Sequence, residues 1–198
     1  MEKVKIAVLV SGGGTNLQAL IDAQKNGILQ SGEIAVVVSN NPKAFALTRA
    51  EKAGIPAIAL PKKELGQEGF EREVKRIFTE KGIGLIVMAG FMSIVSEDFT
   101  RSYPKRIVNV HPSLIPAFCG DGFYGLRVHE AALSYGVKVT GATVHYVNEI
   151  TDGGEIIAQK AVEVMPGDTP ESLQRRVMEQ AEWIILPAAV EKVCKEMK

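Results

Sequence analysis

Short apolar runs rich in β-branched residues alternate along the chain with longer segments in which apolar residues recur every three or four positions. Runs of the first kind suit strands buried on both faces, and segments of the second kind suit amphipathic helices. The pattern predicts parallel strands at Val4 to Val10, Ile34 to Ser39, Ala57 to Leu60, Leu85 to Ala89 and Ile107 to Val110. Between them it predicts helices at Thr15 to Lys25, Ala44 to Ala53 and Gly69 to Lys81. Right-handed crossovers turn such a repeat into a Rossmann-like layer. After about residue 136 the pattern changes, and Gly141 to Val147 and Glu155 to Val164 read as two longer strands whose short junction suits an antiparallel pair. A last helix, from about Pro170 to Val193, carries Leu173, Val177, Ala181, Ile184 and Ala188 on one face, with Pro187 expected to kink or interrupt it. The expected fold is α/β, a mostly parallel twisted sheet with helices on both faces and an antiparallel C-terminal portion. With no repeat, low-complexity tract or linker-like stretch, residues 1–198 are expected to form a single domain.

Composition narrows the function classes. Twenty-three Lys and Arg balance 23 Asp and Glu across 198 residues, and 46% of the residues are hydrophobic. That argues against disorder and against a general affinity for nucleic acid. Cys119 and Cys194 do not make a disulfide framework. The apolar run Ile6 to Val10 is too short for a signal segment, and nothing approaches the roughly 20 apolar residues of a membrane span. A soluble, cytoplasmic protein is expected.

Three segments carry candidate chemistry. Ser11-Gly12-Gly13-Gly14-Thr15-Asn16 follows the first strand and opens the first helix, where glycine backbone freedom and the helix dipole suit a phosphate. It lacks a Walker lysine, the G-x-G-x-x-G spacing and an acidic residue at the end of the second strand, which favours a phosphomonoester over ATP or a dinucleotide. The competing reading is a glycine turn with Thr15 capping the helix. Asn109-Val110-His111-Pro112 lies at a strand's carboxyl end, and alternation turns Asn109 and His111 to one side. An amide beside an imidazole suits acyl chemistry, with the amide on a developing oxyanion and the imidazole moving protons, although a lone histidine also serves structure. Asp152, in Thr151-Asp152-Gly153-Gly154, is either a carboxylate that charges and orients His111 or a turn aspartate bonded to its own backbone.

The remaining candidates have plainer readings. His129 and His145 are taken as structural or surface groups, and the histidines and cysteines have no metal-ligand spacing, so no metal is expected. Cys119 sits in a glycine- and aromatic-rich loop, Phe118 to Gly125, read as a mobile lid carrying a non-catalytic thiol. Met88, Phe91, Met92, Ile94, Val95 and Phe99 read as core, or as the lining of a pocket for a flat heterocycle.

Taken together, the glycine loop, Ala89-Gly90-Phe91-Met92, Asn109 to Pro116 and Thr151 to Gly154 resemble the phosphoribosylglycinamide formyltransferases, a folate-dependent formyltransferase family, and the match runs end to end. The resemblance implies a nucleotide-binding half at about 1–100 and a catalytic, folate-binding half at about 101–198. It implies direct transfer of a formyl group from 10-formyltetrahydrofolate to glycinamide ribonucleotide in purine biosynthesis, with Asn109, His111 and Asp152 as the catalytic set. It gives Gly13, Gly14, Thr15, Asn16, Glu179 and Glu182 to the ribonucleotide. To the folate it gives Gln67, Met92, Ser93, Ile94, Val95, Asn109, Asn148, Glu149, Ile150, Thr151 and Asp152. Family members often carry Arg where this chain has Gln67 and Ser93, which points to Lys62 or Lys63 for the folate's acidic tail. They often carry His where this chain has Trp183. The implied partners are these two small molecules, without nucleic acid or membrane, and a homodimer stays open. Two alternatives remain: a formyltetrahydrofolate hydrolase, for which a phosphate loop has no purpose, and a non-catalytic nucleotide-binding sensor.

Overall fold

In the computed structural model, which describes residues 2–198, every predicted apolar run becomes a strand. The strands are β1 (Val4–Val10), β2 (Gly32–Ser39), β3 (Ala57–Ala59), β4 (Leu85–Met88), β5 (Ile107–His111), β6 (Val139–Tyr146) and β7 (Ile156–Glu163). They lie in one sheet in the order β3-β2-β1-β4-β5-β6-β7. The first five pair in parallel, and β6 and β7 complete the sheet antiparallel. Chain order reverses beside β1, with β2 on one side and β4 on the other, so their carboxyl ends part around a crevice.

The pleat divides the core in two. Ile6, Val8 and Val10 pack with Leu17, Leu20 and Ile21 of α1 (Thr15–Lys25), with Ala46 and Ala50 of α2 (Phe45–Lys52), and with the C-terminal helices α6 (Pro170–Val177) and α7 (Trp183–Glu196). Ala7 and Leu9 pack the other face, against Phe70, Val74 and Phe78 of α3 (Lys62–Lys81) and Phe99 of α4 (Glu97–Ser102). Among the described residues no helix is long and apolar enough to cross a membrane.

Four features depart from the pattern. Helix α4 is too short to show a period; it starts at Ser96, whose hydroxyl accepts from the Phe99 amide. A further helix, α5 (Leu126–Tyr135), buries only Val128, His129 and Ala132, and one of those is a histidine that hydrophobic patterning does not count. Helix α3 begins at Lys62 rather than Gly69, with a break at Gly66 (φ 70°), because its first turns are polar. The last helix is interrupted at Met178–Glu182, a π-helical turn, and not at Pro187. It then runs through Pro187 to Glu196, forgoing the one bond that Pro187 has no N–H to make.

Candidate active site

The loop after β1 is closed on one side and open on the other. Gly14 is the N-cap of α1 at φ 72°, and no side chain caps the helix, so Thr15 is not the cap. A Cβ on Gly14 would lie 2.6 Å from the Ala46 Cβ, so glycine is needed there both for its conformation and for close contact with α2. Cβ atoms on Gly12 or Gly13 would meet nothing within 4 Å. The loop is braced from behind: the Ala46 amide donates to the Gly12 carbonyl at 3.0 Å and Arg49 Nε to the Gly13 carbonyl at 2.8 Å. Bracing on one side and open space on the other leave the first amides of α1 free to meet an anion.

The π turn faces the start of this helix. Asn16 Nδ2 donates to Glu182 Oε2 at 2.6 Å, and Thr15 Oγ1 lies 3.7 Å from Met178 Sδ. Burial pushes the Glu182 carboxyl up to about 7, against the opposing effect of the Asn16 hydrogen bond. Glu179 is exposed on the same turn and forms no hydrogen bond or ion pair among the described residues. The structure therefore joins Glu182 to the loop and leaves Glu179 apart from it.

At the carboxyl half of β5, three separate segments converge. Asn109 pairs across the sheet with His145, placing their side chains side by side, with Asn109 Nδ2 3.2 Å from His145 Nε2. The junction between β6 and β7 folds back on the sheet; a Cβ on Gly154 would lie 1.7 Å from the Tyr146 carbonyl oxygen, so only glycine permits that approach. This fold carries Asp152, at φ 54°, between the two rings: Oδ2 lies 3.6 Å from His111 Nδ1 and Oδ1 3.6 Å from His145 Nε2. The Gly120 amide donates to Asp152 Oδ2 at 2.9 Å, and His111 Nε2–H donates to the Phe118 carbonyl at 2.9 Å.

Charge follows from this packing. Burial holds the His111 imidazole below its ordinary pKa; the Asp152 carboxylate and the Phe118 carbonyl pull upward without overcoming it. Asp152 thus pulls His111 toward its charged form as expected, but in the free chain desolvation is the larger effect. Asp152 is itself buried, which resists ionisation, yet the facing His145 and His111 rings and the Gly120 amide together hold its carboxyl below the usual range. A neutral imidazole beside an ionised carboxylate, with an amide alongside, is suited to proton transfer and to stabilising charge that develops on a substrate oxygen.

Comparison with known proteins shows the family and the fold. The family model described as formyl transferase matches residues 4–190. The chain belongs to the formyl transferase family. It is 39% identical over 187 residues to phosphoribosylglycinamide formyltransferase of Haemophilus influenzae, covering 94% of this chain and 85% of that one. It is 45% identical over 192 residues to the trifunctional purine biosynthetic protein adenosine-3 of Gallus gallus, covering 96% of this chain but spanning only 18% of that protein's length. The crystal structure of glycinamide ribonucleotide transformylase 1 from Symbiobacterium toebii superposes with a TM-score of 0.91 at 38% identity, covering 98% of this chain and 89% of that one. The seven-stranded mixed sheet is thus the fold of phosphoribosylglycinamide formyltransferases.

The exit of β4 carries the segment expected to meet the folate. Phe91 stacks on Phe70 with centroids 5.9 Å apart, while Met92 and Ile94 are exposed. At the two positions where the resemblance leads to an expected Arg, the Ser93 hydroxyl accepts from Asn40 Nδ2 at 2.9 Å, and Gln67 Nε2 reaches the Ile94 carbonyl at 3.3 Å. Lys62 Nζ donates to that same carbonyl at 3.0 Å and sits over the Phe70 ring, and burial lowers its pKa. Lys62 and Gln67 thus brace the Met92–Val95 segment, while Lys63 is exposed. On the far side, Asn148 Oδ1 accepts from the Ile150 amide at 3.0 Å, and Glu149, Ile150 and Thr151 are exposed.

The loop read as a lid is pinned in this structure. Its Phe118 carbonyl and Gly120 amide are held by His111 and Asp152, and Phe118 packs edge-on against Tyr135 at 6.0 Å. Burial and the nearby Asp152 push the Cys119 thiol up, which disfavours the thiolate. Among the described residues no group of His, Cys, Asp or Glu is arranged to hold a metal ion. Sequence reasoning missed His145, which is buried in the network; its pairing partner depends on the β5–β6 register, and the distance-blind motif gives no sign of it. Of the two readings given to His129, structural or surface, burial selects the first, with neither ring nitrogen hydrogen-bonded to protein.

Proposed function

We propose that this chain, as a single formyltransferase domain, transfers a formyl group from 10-formyltetrahydrofolate to the amine of 5-phosphoribosylglycinamide. The observation that carries the reading is the meeting of Asn109, His111 and Asp152 in one network within a fold whose glycine loop stands open at Gly12 and Gly13. The ribonucleotide phosphate takes the free amides at the start of α1, where Gly13, Gly14 and Thr15 present the backbone. Asn16 and Glu182 serve the ribonucleotide beside it, with Glu179 at the rim. The folate lies between Met92–Val95, braced by Gln67 and Ser93, and Asn148–Asp152.

The substrate amine attacks the formyl carbon; a C–N bond forms and the carbonyl oxygen takes the negative charge. Asn109 and His111 donate hydrogen bonds to that oxygen, each such donor being worth roughly 10²- to 10³-fold in rate. Collapse breaks the bond to N10 of the folate, and the proton lost by the amine reaches N10 through His111 or water. Asp152 holds the His111 ring and offsets part of the burial penalty on its charged form. Because Phe118 takes the Nε2–H of His111 in the free chain, the formyl oxygen displaces that carbonyl and the Phe118–Gly125 loop shifts during turnover. Both partners are small molecules in the cytoplasm, and the even charge balance supports neither nucleic acid nor a membrane surface as a third.

Incubation with 10-formyltetrahydrofolate, with and without glycinamide ribonucleotide, tests the reading. Folate product that depends on the ribonucleotide supports transfer. Product formed equally without it indicates hydrolysis, and no product in either case contradicts a catalytic role.

A further inference from the structure

We infer that His145 is a positioning residue that sets which way the Asn109 carboxamide points, an inference that rests on the formyl-transfer reading for its catalytic consequence. The chain of hydrogen bonds starts at a group with no choice of role. The Tyr146 carbonyl can only accept, and His145 Nδ1 lies 2.8 Å from it, so Nδ1 carries the proton. In the neutral ring Nε2 is then a lone pair. Asn109 Nδ2 lies 3.2 Å from that lone pair, so the amide nitrogen, not the amide oxygen, faces His145. The two N–H bonds of a carboxamide diverge at about 120° in one plane, a consequence of sp² geometry. Anchoring one on His145 aims the other, and that second N–H is the donor left for the substrate oxygen.

The Tyr146 carbonyl is what selects this tautomer; the Asp152 carboxylate, with Oδ1 3.6 Å from Nε2, acts in the opposite direction. His145 is 1% exposed, so water does not compete for either nitrogen. The charged or titratable groups facing His145 are Asp152, from the β6–β7 junction, and His111, from β5; behind them, His129 of α5 faces His111 and Cys119 faces Asp152. A second proton on His145 would sit between Asp152 Oδ1 and Asn109. Asn109 would then turn its oxygen toward the ring, and its amide nitrogen would leave the direction that serves the oxyanion.

Two conservative variants separate positioning from packing. His145→Gln places a side-chain oxygen near the site of Nε2 and so keeps an acceptor for Asn109. His145→Asn keeps a donor near the site of Nδ1 for Tyr146 but leaves nothing for Asn109 to donate to. The expected result is kcat within about threefold of the parent for His145→Gln and lower by roughly 10²-fold for His145→Asn, as for loss of an oxyanion donor, with KM for the ribonucleotide within about twofold in both. Equal losses of kcat in the two, or losses confined to KM, would overturn the inference. A readout independent of activity is the ¹⁵N NMR pattern of the His145 ring in the full-length parent chain: a proton on Nδ1 with Nε2 bare is expected, and a proton on Nε2 would overturn the orientation. Should the parent show no ribonucleotide-dependent turnover, the formyl-transfer reading fails, while the NMR pattern still decides the orientation of Asn109.

Discussion

At the scale of single residues, Asn109, His111 and Asp152 were legible as candidates, because residue type and the turn residues around them are written in the sequence. His145 was not, since its role follows from a cross-strand register and a backbone carbonyl that no motif encodes. The same limit applied to the charge of His111, where sequence offered a carboxylate and the structure added burial as the larger effect. Asp152→Asn removes the group that pulls the His111 pKa upward, so that pKa moves further down. An NMR titration of the free chain should show this, with kcat lowered by roughly 10²-fold; an unchanged His111 pKa would contradict the 3.6 Å approach. Gly13 and Gly14 separate recognition from architecture. Gly13→Ala enters open space, so it should weaken ribonucleotide binding by calorimetry with the melting temperature little changed. Gly14→Ala meets Ala46 and a positive φ, so it should lower the melting temperature first.

At the scale of elements, the sheet was legible because strands buried on both faces are written as continuous apolar runs. Helices with few apolar contacts escaped: α4 is short, and α5 places a histidine on its buried face. The π turn escaped as well, because widening a helix by one residue leaves no compositional mark, and it is this turn that brings Glu182 to Asn16. The loop expected to be free is fixed at two points, the Phe118 carbonyl and the Gly120 amide. Gly120→Pro deletes the N–H that Asp152 accepts and cannot adopt φ 86°. It should raise deformylation without transfer relative to transfer, measured as the ratio of folate product to formylated ribonucleotide; an unchanged ratio would show that the loop does not exclude water.

At the scale of the whole molecule, two buried groups tie stability to pH in opposite senses. His129 is held down to about 4, so the unfolded chain binds the extra proton first and stability falls as pH drops from 6.5 toward 4, by roughly 3 kcal/mol across the window. Glu182 is held up to about 7, so its contribution falls as pH rises from 4.5 toward 7, by a similar amount. Between pH 4.5 and 6.5 the two nearly cancel. Urea unfolding should therefore show Glu182→Gln gaining stability with rising pH across that range more steeply than the parent, and His129→Leu losing it; parallel profiles for all three would contradict the burial of these groups. Neither effect was legible in sequence, which names titratable residues but not their solvent. Transfer between two small molecules is read out by product stoichiometry in the parent enzyme supplied with 10-formyltetrahydrofolate and glycinamide ribonucleotide. One formylated ribonucleotide for each tetrahydrofolate released, with negligible release when the ribonucleotide is withheld, is the predicted result; tetrahydrofolate released at the same rate without the ribonucleotide would contradict it.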